Sequence, residues 1–211
     1  MNNPIPVFKP HPWHGIDPGK EIHGKVTAYI EIVPSDTVKY EIDKTSGYLK
    51  VDRPQKFSNV VPALYGFIPK TYCGIKIGEF AAKKTDKKNM KGDGDPLDIL
   101  VLTERNIPHG DIILEAIPIG GFRMLDKNEA DDKLIAVMSN DQLYGKLNSI
   151  HDLPGEVIER LKHYFLTYKN MPGDVKKTCK ITHIYDQKEA QHIVQLALAD
   201  YQNEILNLPS F

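Results

Sequence analysis

Apolar and polar residues alternate along the first two thirds of the chain, a pattern typical of strands with one buried face. The alternation is clearest at residues 25–33 and 38–42, and the turn signal Pro34-Ser35-Asp36 separates these two segments. Shorter segments of strand character lie at residues 48–51, 97–102, 111–118 and 133–137. Gly120-Gly121 interrupts an apolar run at residues 117–124, which predicts a bulge or a tight bend in a curved sheet.

The last third of the chain changes to a helical period. Two apolar stripes have this spacing: Val157, Leu161, Tyr164, Phe165 and Tyr168, and then Ala190, Val194, Leu198, Tyr201 and Ile205. Met171-Pro172-Gly173 predicts the end of the first helix, and Asp186 with Glu189 predicts a capping box at the start of the second. Strands followed by helices predict an α+β fold, a small closed or nearly closed barrel with helices packed outside it.

Charge, hydropathy and cysteine content exclude several classes of protein. The 211 residues carry 27 Lys and Arg against 28 Asp and Glu, a formal charge of −1, so no overall basic field favours nucleic acid or a membrane as partner. No apolar run approaches the roughly 18 residues of a membrane span, and Cys73 and Cys179 are too few for a disulfide framework. We therefore expect a soluble cytoplasmic protein.

No linker or repeat divides the chain, and we expect a single domain over residues 1–211. Within it we expect an extended N-terminal arm at residues 1–24, the barrel at 25–150 and a mainly helical part at 151–211. His11 and His14 have no further ligand at a metal-binding spacing, so we expect Trp13 between them to pack on the barrel. The lysine-dense residues 83–91 have almost nothing to bury and predict an exposed loop.

Three carboxylates at residues 93–98 are the strongest chemical signal. Asp93 and Asp95 lie on a turn shaped by glycine and proline, and Asp98 opens an apolar strand. Such a cluster is destabilised by repulsion unless a cation offsets it, and Mg²⁺ prefers oxygen ligands. A solvated acidic turn explains poorly why the acids adjoin a buried strand. A calcium-binding EF-hand loop is excluded, since its sixth position, where glycine is needed, is Asp98.

Beyond this turn, the chain resembles the family I soluble inorganic pyrophosphatases. The similarity begins with Asp93-Gly94-Asp95-Pro96-Leu97-Asp98 and extends in the family's order over residues 30–169. Its other elements are Tyr40-Glu41-Ile42-Asp43-Lys44, Val51-Asp52-Arg53, Leu64-Tyr65-Gly66-Phe67-Ile68-Pro69, Asp126 with Asp131-Asp132-Lys133, and Tyr168-Lys169. The resemblance implies a five-stranded OB-like barrel with flanking helices, and Mg²⁺-dependent hydrolysis of inorganic pyrophosphate to two phosphates. It also implies a homo-oligomer.

The resemblance further implies a role for each matching residue. Asp95 corresponds to the general base that takes a proton from the attacking water. The ligands of several Mg²⁺ ions correspond to Asp93, Asp98 and Asp131, with Asp126 joining Asp131 and with Glu31 acting through water. The groups that hold phosphate oxygens correspond to Lys39, Arg53, Tyr65, Lys133, Tyr168 and Lys169. Glu41 corresponds to an active-site acid of less definite role.

Without the resemblance, only the three aspartates of residues 93–98 favour this chemistry. Lys39 and Glu41 then fit an ordinary exposed strand face, and Tyr168 lies on an apolar helical stripe. The sequence departs from the family at Val61, where many members have tyrosine, and at Lys127, where some have an acid. The alternative function is a non-catalytic OB-like module that binds nucleic acid or nucleotide through residues 83–91, which leaves the carboxylates unexplained.

Overall fold

The computed structural model describes residues 9–19, 24–169, 173 and 179–207. The strands are β1 Val26–Ile32, β2 Val38–Ile42, β3 Leu49–Pro54, β4 Leu64–Phe67, β5 Lys91–Gly92, β6 Asp98–Leu102, β7 Ile112–Asp126, β8 Glu129–Ala130, β9 Lys133–Met138 and β10 Cys179–Asp186. The α-helices are α1 Ile75–Thr85, α2 Gly155–Thr167 and α3 Gln187–Asp200. A 3-10 turn covers Ile150–Asp152, and a π-helical segment, Tyr201–Leu206, continues α3.

Five strands pair in a ring, which confirms the predicted OB-like barrel. β1 pairs with β4, β4 with β6, β6 with β9, β9 with β7, and β7 again with β1. The β6–β9 pairing is parallel, and the other four are antiparallel. β7 pairs with β1 through residues 112–116 and with β9 through residues 116–122, and it bends where its register with β9 shifts, between Pro118 and Gly120. Gly120 has φ +157°, and a Cβ there would lie 2.5 Å from the Tyr185 carbonyl oxygen, so the bend requires glycine.

Both faces of the central strands are covered, which explains why residues 98–102 form a continuous apolar run. Ile99 of β6 belongs to a buried cluster with residues of α1 and α3. Leu100, on the opposite face of the strand, belongs to a second buried cluster with Leu161 and Phe165 of α2. The ring is therefore held rigidly between helices.

The β2–β3 hairpin forms a separate two-stranded sheet beside β1. Its register pairs Lys39 with Arg53 and Glu41 with Lys50, so charged side chains of both strands meet. The hairpin also exposes apolar surface, with Tyr48 76% and Val51 60% exposed.

Helices α2 and α3 have the predicted apolar stripes, but the predicted capping box is only half formed. Asp186 accepts a hydrogen bond from the backbone N–H of Glu189, as an N-cap does. The Glu189 side chain bonds Arg123 instead of returning to the cap. α2 ends at Thr167, and the predicted stop at residues 171–172 lies outside the described residues.

The prediction of an exposed loop over residues 83–91 was wrong at both ends. Lys83, Lys84 and Thr85 form the last turn of α1, and Met90 is buried. Lys91 pairs with Glu129 in a short parallel bridge between β5 and β8. The helical pattern of α1 was missed because the helix buries only a narrow stripe of apolar residues, and this stripe is covered by α3 and the barrel.

The described part of the N-terminal arm has no regular secondary structure, and Trp13 packs on the barrel as predicted. The Trp13 indole N–H donates to the Thr71 carbonyl oxygen at 2.8 Å, and its ring stacks on His14. The predicted arm also includes residues 1–8 and 20–23, which lie outside the described residues. Within the described ranges, no helix combines the length and hydropathy that a membrane span requires.

Candidate active site

A cavity of about 600 Å³ lies where the barrel, the β2–β3 hairpin and the end of α2 meet. All thirteen site residues predicted from the sequence line it, although they come from seven strands, from two connecting segments between strands and from the residues that follow α2. These residues are Glu31, Lys39, Glu41, Arg53, Tyr65, Asp93, Asp95, Asp98, Asp126, Asp131, Lys133, Tyr168 and Lys169. Residues 83–88 of the lysine-dense segment do not line the cavity.

The register of the ring aligns the centre of the site. Asp98 opens β6, opposite Phe67 on one side and Lys133 on the other. The Tyr65 hydroxyl donates to Oδ2 of Asp98 at 2.6 Å. The ammonium of Lys133 bonds both Asp98 and Asp131, and Lys133 is almost fully buried. The strand pairing therefore holds two carboxylates, one ammonium and one phenol in contact.

The turn that carries Asp93 and Asp95 is fixed by backbone contacts with residue 73. The N–H of Gly94 donates to the Cys73 carbonyl oxygen at 3.0 Å, and the N–H of Cys73 donates to the Asp95 carbonyl oxygen at 2.8 Å. A Cβ on Gly92 would lie 2.0 Å from the Cys73 oxygen, so this close approach excludes any larger residue. The Asp95 side chain is half exposed at the end of this rigid turn.

A bulge directs Glu31 into the site from β1. The register between β1 and β4 shifts between Ile30 and Ile32, so Glu31 is the extra residue. Glu31 is only 6% exposed, and its Oε1 accepts a hydrogen bond from the backbone N–H of Ile42 at 2.6 Å. Burial raises the pKa of Glu31 to about 8, against the lowering effect of this hydrogen bond.

The hairpin and α2 supply the remaining cations. Lys39 Nζ lies 2.8 Å from Asp52 Oδ2 and 3.0 Å from Glu41 Oε2. Two residues beyond the end of α2, Lys169 Nζ donates to Asp126 Oδ2 at 2.6 Å. Each cation is thus held by a carboxylate of the same cavity.

Acidic side chains outnumber basic ones in the cavity. Ten acids and six bases line it, which gives a formal charge of −4 when all are ionised. Burial, followed by the nearby Asp131 carboxylate, raises the pKa of Asp93 to about 9, and burial raises that of Asp98. The site therefore disfavours its own ionised carboxylates unless a further cation offsets them.

Among the described residues, no three His, Cys, Asp or Glu side chains converge as a ready metal-binding set. The ammonium groups of Lys133 and Lys44 lie among the carboxylates instead. The donor set still fits Mg²⁺, because it consists of carboxylate oxygens in excess over cations.

Several residues of the cavity were not singled out from the sequence. Lys44 bonds the Asp95 carboxylate, and its Nζ lies 6.0 Å from the centroid of the Trp13 ring. Asp52 bonds Lys39, and Glu129 also lines the cavity. Lys44 and Asp52 lie within the motifs that carry the family resemblance, but at positions to which the resemblance assigns no function. The sequence therefore indicated these segments without indicating these two side chains.

The two departures from the family pattern differ in their surroundings. Val61 is 1% exposed and belongs to the buried cluster under α2. Lys127 lies in the turn between β7 and β8 with φ +57° and does not line the cavity.

The chain combines an OB-like ring and flanking helices with a cavity in which carboxylates lie among lysine, arginine and tyrosine. This arrangement is typical of enzymes that act on phosphate groups with metal ions. Comparison of the sequence identifies the family. A model of the inorganic pyrophosphatase family matches residues 28–202, and the chain belongs to this family. The resemblance found in the sequence is thereby confirmed.

Relatives and solved structures agree with this assignment. An inorganic pyrophosphatase of Chlamydia muridarum is 53% identical over 202 residues, which cover 94% of this chain and 97% of that protein. Soluble inorganic pyrophosphatase 2 of Chlamydomonas reinhardtii is 37% identical over 91% of this chain and 88% of its own. The crystal structure of the inorganic pyrophosphatase from Thermus thermophilus matches with a TM-score of 0.75 at 29% identity, over 90% of this chain and 99% of that one.

Proposed function

We propose that this chain hydrolyses inorganic pyrophosphate to two phosphates with Mg²⁺, through the thirteen residues that line its cavity. Hydrolysis of pyrophosphate is the reaction for which its family is named. The observation that carries the residue roles is the convergence of all thirteen side chains in one cavity with excess acid. Such a cavity repels a free polyanion but accepts one that arrives with divalent cations.

Asp93, Asp98 and Asp131 would hold Mg²⁺, with Asp126 and Glu31 contributing at its edge. Their oxygens lie on strand ends and on a turn fixed by backbone contacts, which favours the strict geometry that Mg²⁺ demands. When bound, Mg²⁺ neutralises phosphate charge and makes water a stronger acid.

Asp95 would take the proton from the attacking water. Its carboxylate is half exposed to the cavity at the end of a turn fixed by backbone contacts, and among the described residues the Lys44 ammonium is the group that bonds it. Water attacks phosphorus, the bond to the bridging oxygen breaks, and the electron pair leaves with the second phosphate. A carboxylate within hydrogen-bond distance of that water can accept its proton.

Six side chains would hold the phosphate oxygens: Lys39, Arg53, Tyr65, Lys133, Tyr168 and Lys169. Carboxylates already hold Lys39, Lys133 and Lys169 in the cavity, so these three side chains lose little conformational entropy when phosphate binds. Arginine can bond two phosphate oxygens at once, and a phenol donates without adding charge. Glu41 would act on Lys39, whose ammonium it bonds.

Phosphate release from pyrophosphate by purified protein tests the proposal. We expect release that requires millimolar Mg²⁺ and that falls at least a hundredfold in Asp95→Asn, the scale of a lost general base. Asp86→Asn is the matched control, since Asp86 ends α1 in the left-handed region that asparagine tolerates and lies outside the cavity. Release that survives in Asp95→Asn removes Asp95 as the base, and no release with any divalent metal overturns the function.

We also propose that the chain acts in the cytoplasm as one domain and as a homo-oligomer. The chain has only two cysteines, Cys73 and Cys179, both buried, and so low a cysteine content is typical of proteins of a reducing compartment. Exposed Phe57, Val60 and Ile113 offer apolar surface to a second copy. Sedimentation at micromolar concentration distinguishes the oligomer from a monomer of 23.9 kDa.

A further inference from the structure

A buried ion pair lies directly behind the candidate metal ligands and belongs to no part of the cavity lining. Nε of Arg123, on β7, donates to Oδ1 of Asp132 at 2.7 Å. The two side chains are 0% and 1% exposed. Ionised groups at this depth lose their hydration, which is costly unless other contacts compensate.

Contacts from α1, α3 and β10 surround the Arg123 guanidinium. Its Nη2 lies 3.2 Å from Oε1 of Glu189, and its Cζ lies 4.9 Å from the Phe80 ring centroid and 5.4 Å from that of Tyr185. Glu189 in turn bonds Lys84 at 2.5 Å. The arginine therefore has one defined position, fixed by aromatic faces on two elements and by carboxylates on two others.

Asp132 occupies the position between two residues of the site. Asp131 and Lys133 line the cavity, whereas Asp132 does not, so the chain alternates between the two sides at this point. The Asp131 N–H donates to the Met124 carbonyl oxygen at 3.0 Å, and Lys133 pairs with Phe122 of β7. Arg123 lies between these two β7 residues, so its pair with Asp132 joins the same two segments from the far side.

We infer that the Arg123–Asp132 ion pair is a positioning element of the active site, which fixes the backbone that presents Asp131 and Lys133 to the metal and phosphate. The inference rests on the proposed function, since it takes Asp131 as a metal ligand. A buried ion pair contributes little net stability compared with apolar side chains of similar volume. The ion pair instead determines the position of the backbone, because one hydrogen bond of defined geometry fixes residue 132 and therefore both of its neighbours.

Isothermal titration of the metal-free protein with Mg²⁺ alone, together with thermal unfolding, tests the inference. The principal variant is the double substitution Arg123→Met with Asp132→Asn, which removes the pair without leaving a buried charge unpaired. We expect it to fold and to bind Mg²⁺ about tenfold more weakly than the wild type, the scale seen when groups that orient metal ligands are removed. Arg123→Met alone is expected to lower both the thermal midpoint and the Mg²⁺ affinity.

Asp141→Asn is the matched control for stability. Asp141 is also a buried carboxylate, and it bonds the backbone N–H groups of Glu104, Leu143 and Tyr144, none of which lines the cavity. We expect this variant to unfold at a lower temperature and to bind Mg²⁺ like the wild type. Lys84→Met, at the exposed end of the network, is expected to leave Mg²⁺ binding unchanged.

The outcomes separate this inference from the proposed function. If the wild type binds no Mg²⁺, the proposed metal site fails. If the wild type binds Mg²⁺ and the double variant binds it equally well, whatever its thermal midpoint, the ion pair serves only stability and the inference is overturned.

Discussion

We expect the Tyr65 hydroxyl to have two functions, orienting a metal ligand and donating to phosphate. It donates to Asp98 at 2.6 Å, while its ring packs against Phe165 with centroids 6.3 Å apart. Replacement by phenylalanine removes the donor and keeps the ring. The site then loses an orienting contact to a metal ligand and a phosphate contact, at little cost to packing.

We expect Tyr65→Phe to lower kcat/KM for pyrophosphate about tenfold or more, since loss of one well-placed donor in an active site has at least this effect. Steady-state phosphate release at saturating Mg²⁺ measures it. Tyr40→Phe is the control, because Tyr40 lies on the neighbouring β2 and does not line the cavity. Equal rates for Tyr65→Phe and the wild type would show that the hydroxyl has no part in the reaction.

Asp141 is a residue whose charge serves stability alone. It accepts hydrogen bonds from the backbone N–H groups of Glu104, Leu143 and Tyr144 and from the Thr103 hydroxyl. Burial opposes ionisation, but these bonds outweigh it and lower the pKa of Asp141. Because the pKa is lower in the folded state, the stabilisation is complete above the unfolded value near 4 and is lost as the pH falls through the folded value.

We expect Asp141→Asn to reduce the free energy of unfolding at pH 7 by about 2 kcal/mol, the scale of lost charge-assisted hydrogen bonds. The difference from the wild type is expected to begin to shrink below about pH 4, where the unfolded chain binds a proton at residue 141, and to disappear at lower pH, where folded Asp141 is protonated as well. Urea unfolding at pH 7 and at pH 3.5 measures both effects. A difference that grows at acid pH would contradict the assignment of the sign.

The sequence alone predicted some residues of the candidate site and missed others. Asp93, Asp95 and Asp98 could be found from their spacing alone, because three acids so close together require a cation. Lys44 could not, because its bond to Asp95 spans 51 positions and exists only once the β2–β3 hairpin folds over the turn. Asp132 reads as part of an ordinary acidic loop, and only the fold reveals Arg123 behind it.

Elements were predictable where their own pattern was strong. β1 and β2 alternate regularly, β9 is a short continuous apolar run, and α2 has a wide apolar stripe. β4 has only four residues, and the alternation of β10 is broken where its register with β7 shifts, between Ile181 and His183. α1 depends on its neighbour, because the carboxylate of Asp200 at the end of α3 accepts from the backbone N–H groups of residues 74, 76 and 77.

We expect Asp200→Asn to reduce the free energy of unfolding by about 2–3 kcal/mol, because the first turn of α1 loses its charged acceptor. Phosphate release at 25 °C is expected to stay within about twofold of the wild type, since α1 supplies no cavity residue. Urea unfolding and the activity assay measure the two effects. A large loss of activity without loss of stability would link α1 to the reaction instead.

At the scale of the whole molecule, the fold concentrates negative charge in the cavity, although the chain as a whole is nearly neutral. The chain has a formal charge of −1, yet the residues that line the cavity carry −4. No count along the sequence reveals this, because the acids come from strands, turns and a hairpin far apart in the chain. The concentrated charge suits metal-assisted catalysis and opposes folding when no metal is bound.

This conflict predicts a reversal of relative stability in Asp93→Asn. Without metal, the variant is expected to unfold at a higher temperature than the wild type, because one of several mutually repelling carboxylates is gone. With Mg²⁺, the wild type is expected to be the more stable, since a ligand that binds only the folded state stabilises it by about 2.7 kcal/mol at a hundred times its Kd. Calorimetric midpoints in chelator and in about 10 mM Mg²⁺, at ionic strength matched with NaCl, measure the reversal. Asp86→Asn, outside the cavity, is expected to follow the wild type in both buffers. Equal stabilisation of the wild type and Asp93→Asn by Mg²⁺ would mean that Asp93 is not a ligand and that the charge of the cavity serves another purpose.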